Sequence, residues 1–423
     1  MSDPGTGKTR AHLQAFVDRM KQGSRCALVV CPKSLMESAW VEDIHRYFPG
    51  VRASVAYAKN RADAFAVDAD IYITNTDAVK WLAKQPKRFF SRFDTMIVDE
   101  SHYFKHHTSQ RSKAILELRD YFEYRIMMTG TPFSNSVMEI WNQMMFLDGG
   151  QRLGPSFYRL RSSLCDQQKV TQTISTWVDK EGAEEAVSML IQDISIRHEF
   201  DKCMDIPPNH TYTIKYTMPK KLMKQYQKLK EETILRLQTE VITPANAAVL
   251  NAKLLQVASG AVYTGHERYE VLDTSRYELV ADLIEQRKHS ITFFLWKHQR
   301  DILAETLKKR GITYEILDGS VADRRRAEIV RAYQAGFYQT LLLHPQTGAH
   351  GLTLTRGTAT IWSSPSPRAD LVKQAKHRIL RGGQKNVTET LLVEAAGTHE
   401  RKIYTTLDAR TKRIVNLLDM LQD

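Results

Sequence analysis

The chain has 423 residues, of which 42% are hydrophobic and 26% are charged, a composition typical of globular proteins. At roughly 150 residues per domain, this length predicts two or three domains. No apolar run reaches the roughly 18 residues of a membrane-spanning helix, and the chain opens without a secretion signal. The four cysteines form no Cys-x-x-Cys pair, which excludes a zinc ribbon and predicts a reducing, intracellular setting. The net charge of +12 favours a polyanionic partner such as nucleic acid.

Helix and strand patterns alternate along the first part of the chain. Residues 12–23 place apolar side chains at helical spacing, and Gly23 ends the pattern. Short apolar runs predict buried strands at residues 27–31, 71–74, 95–98 and 125–129. Because strands separated by helices form parallel sheets covered on both faces, this part is predicted to be an α/β lobe.

The alternation stops in the middle of the chain and then returns. Strand patterns thin out between residues 149 and 274, where residues 220–238 and 247–257 have helical patterns. The later helices are predicted at residues 277–287, 298–310, 323–335 and 370–380, and the later strands at 291–295, 312–317, 340–343 and 358–361. The predicted fold class is α/β with two parallel-sheet lobes, at residues 1–200 and 275–423, joined by a helical insertion at 201–274.

A glycine-rich turn immediately precedes the first predicted helix. Gly5, Thr6 and Gly7 are followed by Lys8 and Thr9. Glycines let backbone N–H groups wrap phosphates, a lysine contacts the terminal phosphates, and a threonine hydroxyl binds magnesium. The helix N-terminus behind such a loop adds partial positive charge. The pattern therefore predicts a nucleotide phosphate-binding loop, and its alternative is a chance glycine turn.

Two further patterns suit phosphate chemistry. Asp99 and Glu100 follow an apolar strand, where open α/β sheets place their ligands, so Asp99 is a candidate magnesium residue and Glu100 a candidate for polarising water. Arg378 and Arg381 are three residues apart in a predicted helix and would share a face. Arginines in such a position neutralise charge on a transferring phosphoryl group. The alternatives are a solvated acidic loop and a solvated basic face.

In order and spacing, these three patterns resemble motifs I, II and VI of helicase superfamily II, specifically the SWI/SNF-type DNA translocases. Intervening segments are similar to the family's other motifs, at residues 28–35, 73–76, 129–132, 293–296, 317–320 and 347–355. The Asp-Glu-Ser-His motif at residues 99–102 is most similar to that of the annealing-helicase-like branch and its short bacterial and phage members.

The resemblance implies two RecA-like lobes that clamp ATP and Mg²⁺ and ratchet along duplex DNA as they close and open. The catalytic residues that it implies are Lys8, Asp99, Glu100, Arg378 and Arg381. The implied nucleotide-binding residues are Gly5, Thr6, Gly7, Lys8, Thr9, Gly351 and Gln374, with Thr9 and Asp99 at the metal. The implied DNA-binding residues are Lys33, Ser34, Thr74, Asn75 and Thr347.

A capping-box pattern and three tryptophans give further predictions about local structure. Ser34 and Glu37 have the spacing of a capping box, which predicts a helix whose N-terminal N–H groups could take a DNA phosphate. Trp40, Trp141 and Trp177 lie beside apolar neighbours and are predicted to be core residues.

The chain departs from the family's pattern at its start. The family normally has a glutamine-containing adenine-contact motif, a helix and a strand ahead of the phosphate loop, whereas Lys8 stands at position 8 here. We expect that the natural N-terminus is longer. Loss of that strand is expected to leave a buried gap and an unsupported loop.

The sequence therefore predicts a DNA-dependent ATPase that translocates on duplex DNA and remodels or reanneals branched DNA or displaces bound proteins. One alternative is a strand-separating DNA or RNA helicase. Another is a nucleic-acid-binding protein whose truncated ATP site is dead. We expect a monomer without membrane association, located in the cytoplasm, or in the host cytoplasm if the source is a virus.

Overall fold

The computed structural model describes residues 1–169, 175–239, 244–265, 268–348, 352–406 and 408–409. It has two compact units, Met1–Met204 and Asp205–Ala409. Each unit is built on one parallel sheet flanked by helices, so the predicted α/β class with two parallel-sheet lobes is confirmed. Among the described helices, none is long and apolar enough to cross a membrane.

The first unit contains a five-stranded sheet and a separate two-stranded hairpin. Its strands are β1 (Cys26–Cys31), β2 (Ala53–Ala56), β3 (Ile71–Asn75), β4 (Phe93–Asp99), β5 (Tyr124–Met128), β6 (Cys165–Lys169) and β7 (Ser175–Asp179). Its helices are α1 (Lys8–Met20), α2 (Glu42–Tyr47), α3 (Arg61–Ala66), α4 (Val79–Leu82), α5 (Lys87–Phe90), α6 (Gln110–Leu118), α7 (Trp141–Asp148), α8 (Phe157–Leu164), α9 (Ala183–Ile191) and α10 (Phe200–Cys203).

The five-stranded sheet is parallel throughout, in the order β2-β3-β1-β4-β5. Alternate residues of β1 enter opposite cores: Leu28 packs in the cluster on one face, and Val29 packs in the cluster on the other. All seven residues of β4 are buried. Because the strands are parallel, their carboxyl ends form one edge, where β1, β3 and β4 end at Cys31, Asn75 and Asp99.

The second unit contains a six-stranded sheet and a short hairpin. Its strands are β8 (Asn209–Tyr216), β9 (Ala261–Tyr263), β10 (Tyr269–Val271), β11 (Ser290–Phe293), β12 (Tyr314–Leu317), β13 (Thr340–Leu343), β14 (Ala359–Trp362) and β15 (Thr388–Ala395). Its helices are α11 (Lys220–Thr239), α12 (Pro244–Ala258), α13 (Ser275–Glu285), α14 (Lys297–Lys309), α15 (Asp323–Ala335), α16 (Pro345–Gly348) and α17 (Ala369–Lys376).

The larger sheet of the second unit has the order β12-β13-β11-β14-β15-β8 and is also parallel. The thinning of strand patterns between residues 149 and 274 does not correspond to an absence of strands, because β6 to β10 all lie there. β8 shows why the pattern was missed. It is an outer strand whose residues are mostly exposed or half-buried, so it has no apolar run.

A cavity of about 340 Å³ lies beside β5, the outer strand of the first sheet. Its lining includes Ile126 on β5, His12 on α1, Met144 on α7, and also Met1 and Ile196. Apart from Met128, the side chains of β5 are exposed or half-buried, so this edge of the sheet is less covered than β4.

Candidate functional site

The glycine-rich loop is fastened to a later segment of the first unit. Asp3 forms a buried ion pair with Arg197 at 2.9 Å and accepts a hydrogen bond from the backbone N–H of Phe200 at 3.2 Å. The backbone N–H of His198 donates to the Ser2 hydroxyl at 3.0 Å. The expectation that the loop lacks support is therefore wrong, because contacts distant in sequence hold it.

The loop folds around the ammonium group of Lys8. Lys8 donates to the carbonyl oxygens of Ser2 and Asp3 at 2.7 and 2.8 Å, and the Thr6 hydroxyl donates to the Asp3 carbonyl at 2.9 Å. Gly7 has a φ of 79°, a conformation that glycine adopts at little cost, and α1 begins at the next residue. The loop therefore leads directly into a helix N-terminus, which suits phosphate binding.

Asp99 is a buried carboxylate at the carboxyl end of β4. Burial and the charge of Glu100 raise its pKa to about 6, whereas the charge of Lys8 opposes that shift. The indole N–H of Trp40 donates to Asp99 at 3.1 Å, and the backbone N–H of Glu100 donates to it at 2.9 Å. Trp40 is fully buried, as predicted. The sequence pattern gave no sign of its bond to Asp99.

Glu100 occupies the left-handed region with a φ of 52°, alone among the described non-glycine residues. Its Oε2 lies 3.1 Å from Nδ1 of His102. Backbone strain of this kind is typical of functional sites. His102 belongs to no group of three or more potential metal ligands among the described residues.

A buried glutamine links the acidic segment to the segment after β5. Gln143 accepts a hydrogen bond from the Ser101 hydroxyl at 2.6 Å and donates to the Pro132 carbonyl at 2.7 Å. The sequence analysis missed Gln143, because it lies on α7 outside every recognised motif.

These residues fit a magnesium–nucleotide ligand. Thr9 is half-buried at the start of α1. Asp99 offers a carboxylate that accepts hydrogen bonds from the Trp40 indole and the Glu100 backbone N–H. Magnesium is commonly held by one or two protein groups together with waters and substrate phosphates. Thr9 and Asp99 would supply these protein groups, and magnesium would neutralise phosphate charge there.

The arginines of the second unit lie in a turn, so their predicted place within a helix is wrong. α17 ends at Lys376. Arg378 is buried and donates to the carbonyls of Gln374 and Leu352 at 3.1 and 3.3 Å. Arg381 donates to the Thr353 hydroxyl at 2.9 Å.

A buried glutamine holds the turn that follows α17. Nε2 of Gln384 donates to the carbonyls of Thr355, Gly357 and Ile379 at 2.9, 3.1 and 3.2 Å. These bonds hold the turn after α17 against the segment that precedes β14. Gln374 is also buried, and its Oε1 has no hydrogen-bond partner among the described residues. Gly351 lies outside the described residues.

Candidate DNA-binding residues follow β1 and end β3, at the same edge of the first sheet as Asp99. Lys33 is exposed, and the Asn75 side-chain oxygen accepts a hydrogen bond from Arg61 at 3.2 Å. The sequence analysis did not predict this contact of Arg61 with Asn75. Thr74 is fully buried and its hydroxyl donates to the Ala56 carbonyl at 2.9 Å, which argues against its direct contact with DNA.

The predicted capping box at Ser34 is not formed. A π-helical segment begins at Met36 after Leu35, without a side-chain cap. Glu37 instead accepts a hydrogen bond from the Tyr57 hydroxyl at 2.9 Å. In the second unit, Thr347 is half-buried in α16, and its backbone N–H donates to the His344 carbonyl at 3.0 Å.

Family models match both units. A model of the SNF2-related domain matches residues 1–258, and a model of the helicase conserved C-terminal domain matches residues 275–383. The first match alone covers more than half of the chain. This chain belongs to the SNF2-related family. The resemblance to SWI/SNF-type members of helicase superfamily II is thus confirmed, and family membership makes the chain an ATP-dependent helicase-like enzyme.

Individual relatives are distant in sequence. The putative protein p41 of Acyrthosiphon pisum secondary endosymbiont phage 1 is 25% identical over 84% of this chain and 78% of that protein. The putative ATP-dependent helicase/translocase YwqA of Bacillus subtilis is 22% identical over 96% of this chain. The chain spans only 45% of the Bacillus protein. The solved Sulfolobus solfataricus SWI2/SNF2 ATPase core in complex with dsDNA is 20% identical, with a TM-score of 0.43 over 99% of this chain and 88% of that chain.

Proposed function

We propose that this SNF2-related chain is a duplex-DNA-stimulated ATPase that translocates on DNA. The observation that carries the proposal is the presence in one unit of the glycine-rich loop, which leads through Lys8 into α1, and of the buried carboxylate of Asp99 at the carboxyl end of β4. Burial raises the pKa of Asp99, and the charge of Lys8 opposes that shift. A lysine for terminal phosphates together with a carboxylate for magnesium is the combination that phosphoryl transfer requires. Glu100 follows Asp99 directly and would orient an attacking water.

The DNA-binding part of the proposal is supported by charge and position. The net charge is +12, which suits sequence-independent contacts with phosphates. Lys33 and Ser34 follow β1, and Asn75 is the last residue of β3, at the sheet edge where β4 ends with Asp99. DNA bound there would therefore contact the same sheet as the nucleotide. The naming of the Bacillus relative as a helicase/translocase agrees with this function.

We further propose that the motor remodels or reanneals branched DNA, or displaces bound proteins, with Mg²⁺ as its metal. In this proposal Arg378 and Arg381 neutralise charge on the transferring phosphoryl group, and Gly351, Gln374 and Thr347 contact nucleotide or DNA. Substitution of Arg381 by Ala is the cleaner test of this role, because Arg378 is buried and also holds backbone carbonyls.

The test is ATP hydrolysis measured with and without duplex DNA. We expect stimulation by duplex DNA in the wild type and its loss in Lys8→Ala and Glu100→Gln. Lys21→Ala is the matched control, because Lys21 is an exposed lysine that follows the C-terminal end of α1 and pairs with Asp18 at 3.0 Å. This control should retain stimulation.

Other outcomes favour the alternatives. DNA binding without hydrolysis would contradict the proposal and favour a nucleic-acid-binding protein with a dead ATP site. Stimulation by RNA, or displacement of a labelled strand from a duplex, would favour a strand-separating helicase. Faster annealing of complementary strands in the presence of ATP would support the reannealing role.

A further inference from the structure

Aromatic and basic side chains share a surface on α8 and β7, which we call the α8–β7 surface (Phe157, Tyr158, Arg161 and Trp177). The prediction that Trp177 is a core residue is wrong, because it is half-buried. Its strand explains this, since within the described ranges β6 and β7 form a separate two-stranded sheet and no part of the larger one.

Aromatic rings hold the guanidinium of Arg161. Its central carbon lies 4.2 Å from the ring centre of Trp177 and 5.2 Å from that of Tyr158. The Arg161 Nε is buried and has no hydrogen-bond partner among the described residues. Cation–π contacts therefore position this guanidinium, and its capacity to donate hydrogen bonds is not fully used.

Tyr158 presents its ring to solvent from a fixed base. The side chain is 60% exposed. Its neighbour Phe157 stacks on His107 with ring centres 3.6 Å apart and meets Trp141 edge-on at 5.7 Å. Phe157 also packs against the apolar cluster that contains Trp141. The exposed ring therefore lies on a helix that is anchored to the core.

The surroundings of this surface are positively charged. After burial, the nearby charges of Arg161, His106 and Lys113 are the causes that lower the pKa of His107. Lys180 is tied to α8 through the Ser163 carbonyl at 2.9 Å. A carboxylate, Asp166, lies 3.8 Å from Lys180, so it offsets only part of this charge.

We propose that the α8–β7 surface binds an unpaired DNA strand, with a base stacked on Tyr158 and a phosphate paired with Arg161. Exposed rings beside basic groups bind single strands with little sequence preference. In a duplex the bases stack on one another, so few of their faces are available to stack on an exposed protein ring. The inference goes beyond the proposed ATPase, which requires only duplex DNA and uses other elements of the first unit.

The test is fluorescence anisotropy of labelled oligothymidine, measured without ATP at fixed salt concentration. Tyr158→Ala should weaken binding about fivefold or more, whereas Tyr158→Phe should bind like the wild type because it keeps the ring. Phe337→Ala removes a ring that is 72% exposed in the second unit and should leave binding unchanged. Affinity for blunt duplex DNA should not change in Tyr158→Ala.

Three outcomes would overturn the inference. They are absence of oligothymidine binding in the wild type, equal binding by wild type and Tyr158→Ala, and an equal loss on oligothymidine and duplex. Because Tyr158 is largely exposed, an unchanged melting temperature is expected and would exclude unfolding as the cause. Failure of the proposed ATPase would be seen separately, as absence of hydrolysis with duplex DNA.

Discussion

Trp40 and Asp99 show how a core residue tunes a site residue. Asp99 is buried, yet it accepts hydrogen bonds from the Trp40 indole and from a backbone N–H. Hydrogen bonds to a carboxylate favour its ionised form, whereas burial favours its protonated form. Because the pKa of Asp99 is raised to about 6, its carboxylate is mostly ionised at neutral pH and loses its charge in mild acid.

The ionisation of Asp99 is expected to lower the free energy of unfolding as the pH rises. An unfolded aspartate titrates near 3.9, so between about pH 4 and pH 6 the folded chain retains a proton that the unfolded chain has lost. Stability then falls with rising pH across this range. Asp99→Asn removes this dependence. The melting temperature of the variant minus that of the wild type should therefore increase by roughly 5 °C between pH 4 and pH 7. Differential scanning fluorimetry would measure both melting temperatures, and a difference between them that does not change with pH would contradict the prediction.

Trp40→Phe should shift the pH dependence of the proposed ATPase. Loss of the indole N–H removes a bond that lowers the pKa of Asp99, so the carboxylate should protonate at higher pH. As the pH is lowered, hydrolysis by the variant should therefore begin to fall at a higher pH than hydrolysis by the wild type. Near pH 9 the two rates should be similar. A uniform loss across the pH range would instead indicate only a structural role for Trp40.

Sequence patterns indicated the candidate reacting groups better than the residues that support them. Lys8, Asp99 and Glu100 were predictable as candidates, because their proposed chemistry depends on residue type and local spacing. The ion pair of Asp3 with Arg197 was not, because the two residues are 194 positions apart. Trp177 was misassigned, since apolar neighbours in sequence do not show whether a strand joins a sheet.

At the scale of elements, the glycine-rich loop packs closely on the segment after β5. A Cβ atom added to Gly130 would lie 3.0 Å from Cδ of Pro4 and 3.3 Å from the Ser2 carbonyl oxygen. Such distances are too short for relaxed contact, so one of the two segments would have to move. The loop conformation therefore depends on a residue more than a hundred positions away.

Gly130→Ala should weaken nucleotide binding by displacing the loop, with an expected loss of about tenfold, equivalent to about 1.4 kcal/mol. A fluorescent ATP analogue would measure the dissociation constant. Gly50→Ala is the control, since a Cβ there meets no atom within 4 Å. Equal affinity in both variants would show that the loop tolerates the displacement.

Strands made mostly of apolar residues were predictable, and strands rich in polar residues were not. The runs at residues 27–31 and 340–343 correspond to β1 and β13, which are buried almost throughout. β15 was missed because its buried positions include Thr388 and Thr390. The Thr390 hydroxyl donates to the side chain of Asn209 on β8, so polar side chains are satisfied across strands that a local pattern cannot pair.

At the scale of the whole molecule, the second unit depends on a fully buried ion pair. Arg276 on α13 and Glu400 beyond β15 are both completely buried, with contacts of 2.8 and 3.0 Å. Arg276 also donates to the carbonyls of Ser363, Ala258 and Val393. This one side chain therefore connects four separate segments of the unit.

Removing one partner of this pair should destabilise the second unit strongly. Glu400→Gln leaves the Arg276 charge buried without its counter-charge, and we expect a loss of about 3 kcal/mol in free energy of unfolding. Urea denaturation followed by circular dichroism would measure the loss. Glu305→Gln alters an exposed pair with Lys309 and should leave the unfolding midpoint unchanged. Similar midpoints for the two variants would contradict the prediction.

The pairing of β8 with β15 has a consequence for synthesis on the ribosome. β8 is made first among the strands of its sheet, yet the strand that it pairs with, β15, follows roughly 180 residues later. At 5–20 residues per second, β8 waits on the order of ten seconds or more with its backbone unpaired. Its mostly polar side chains suit that wait, because a polar strand is less prone to join neighbouring nascent chains.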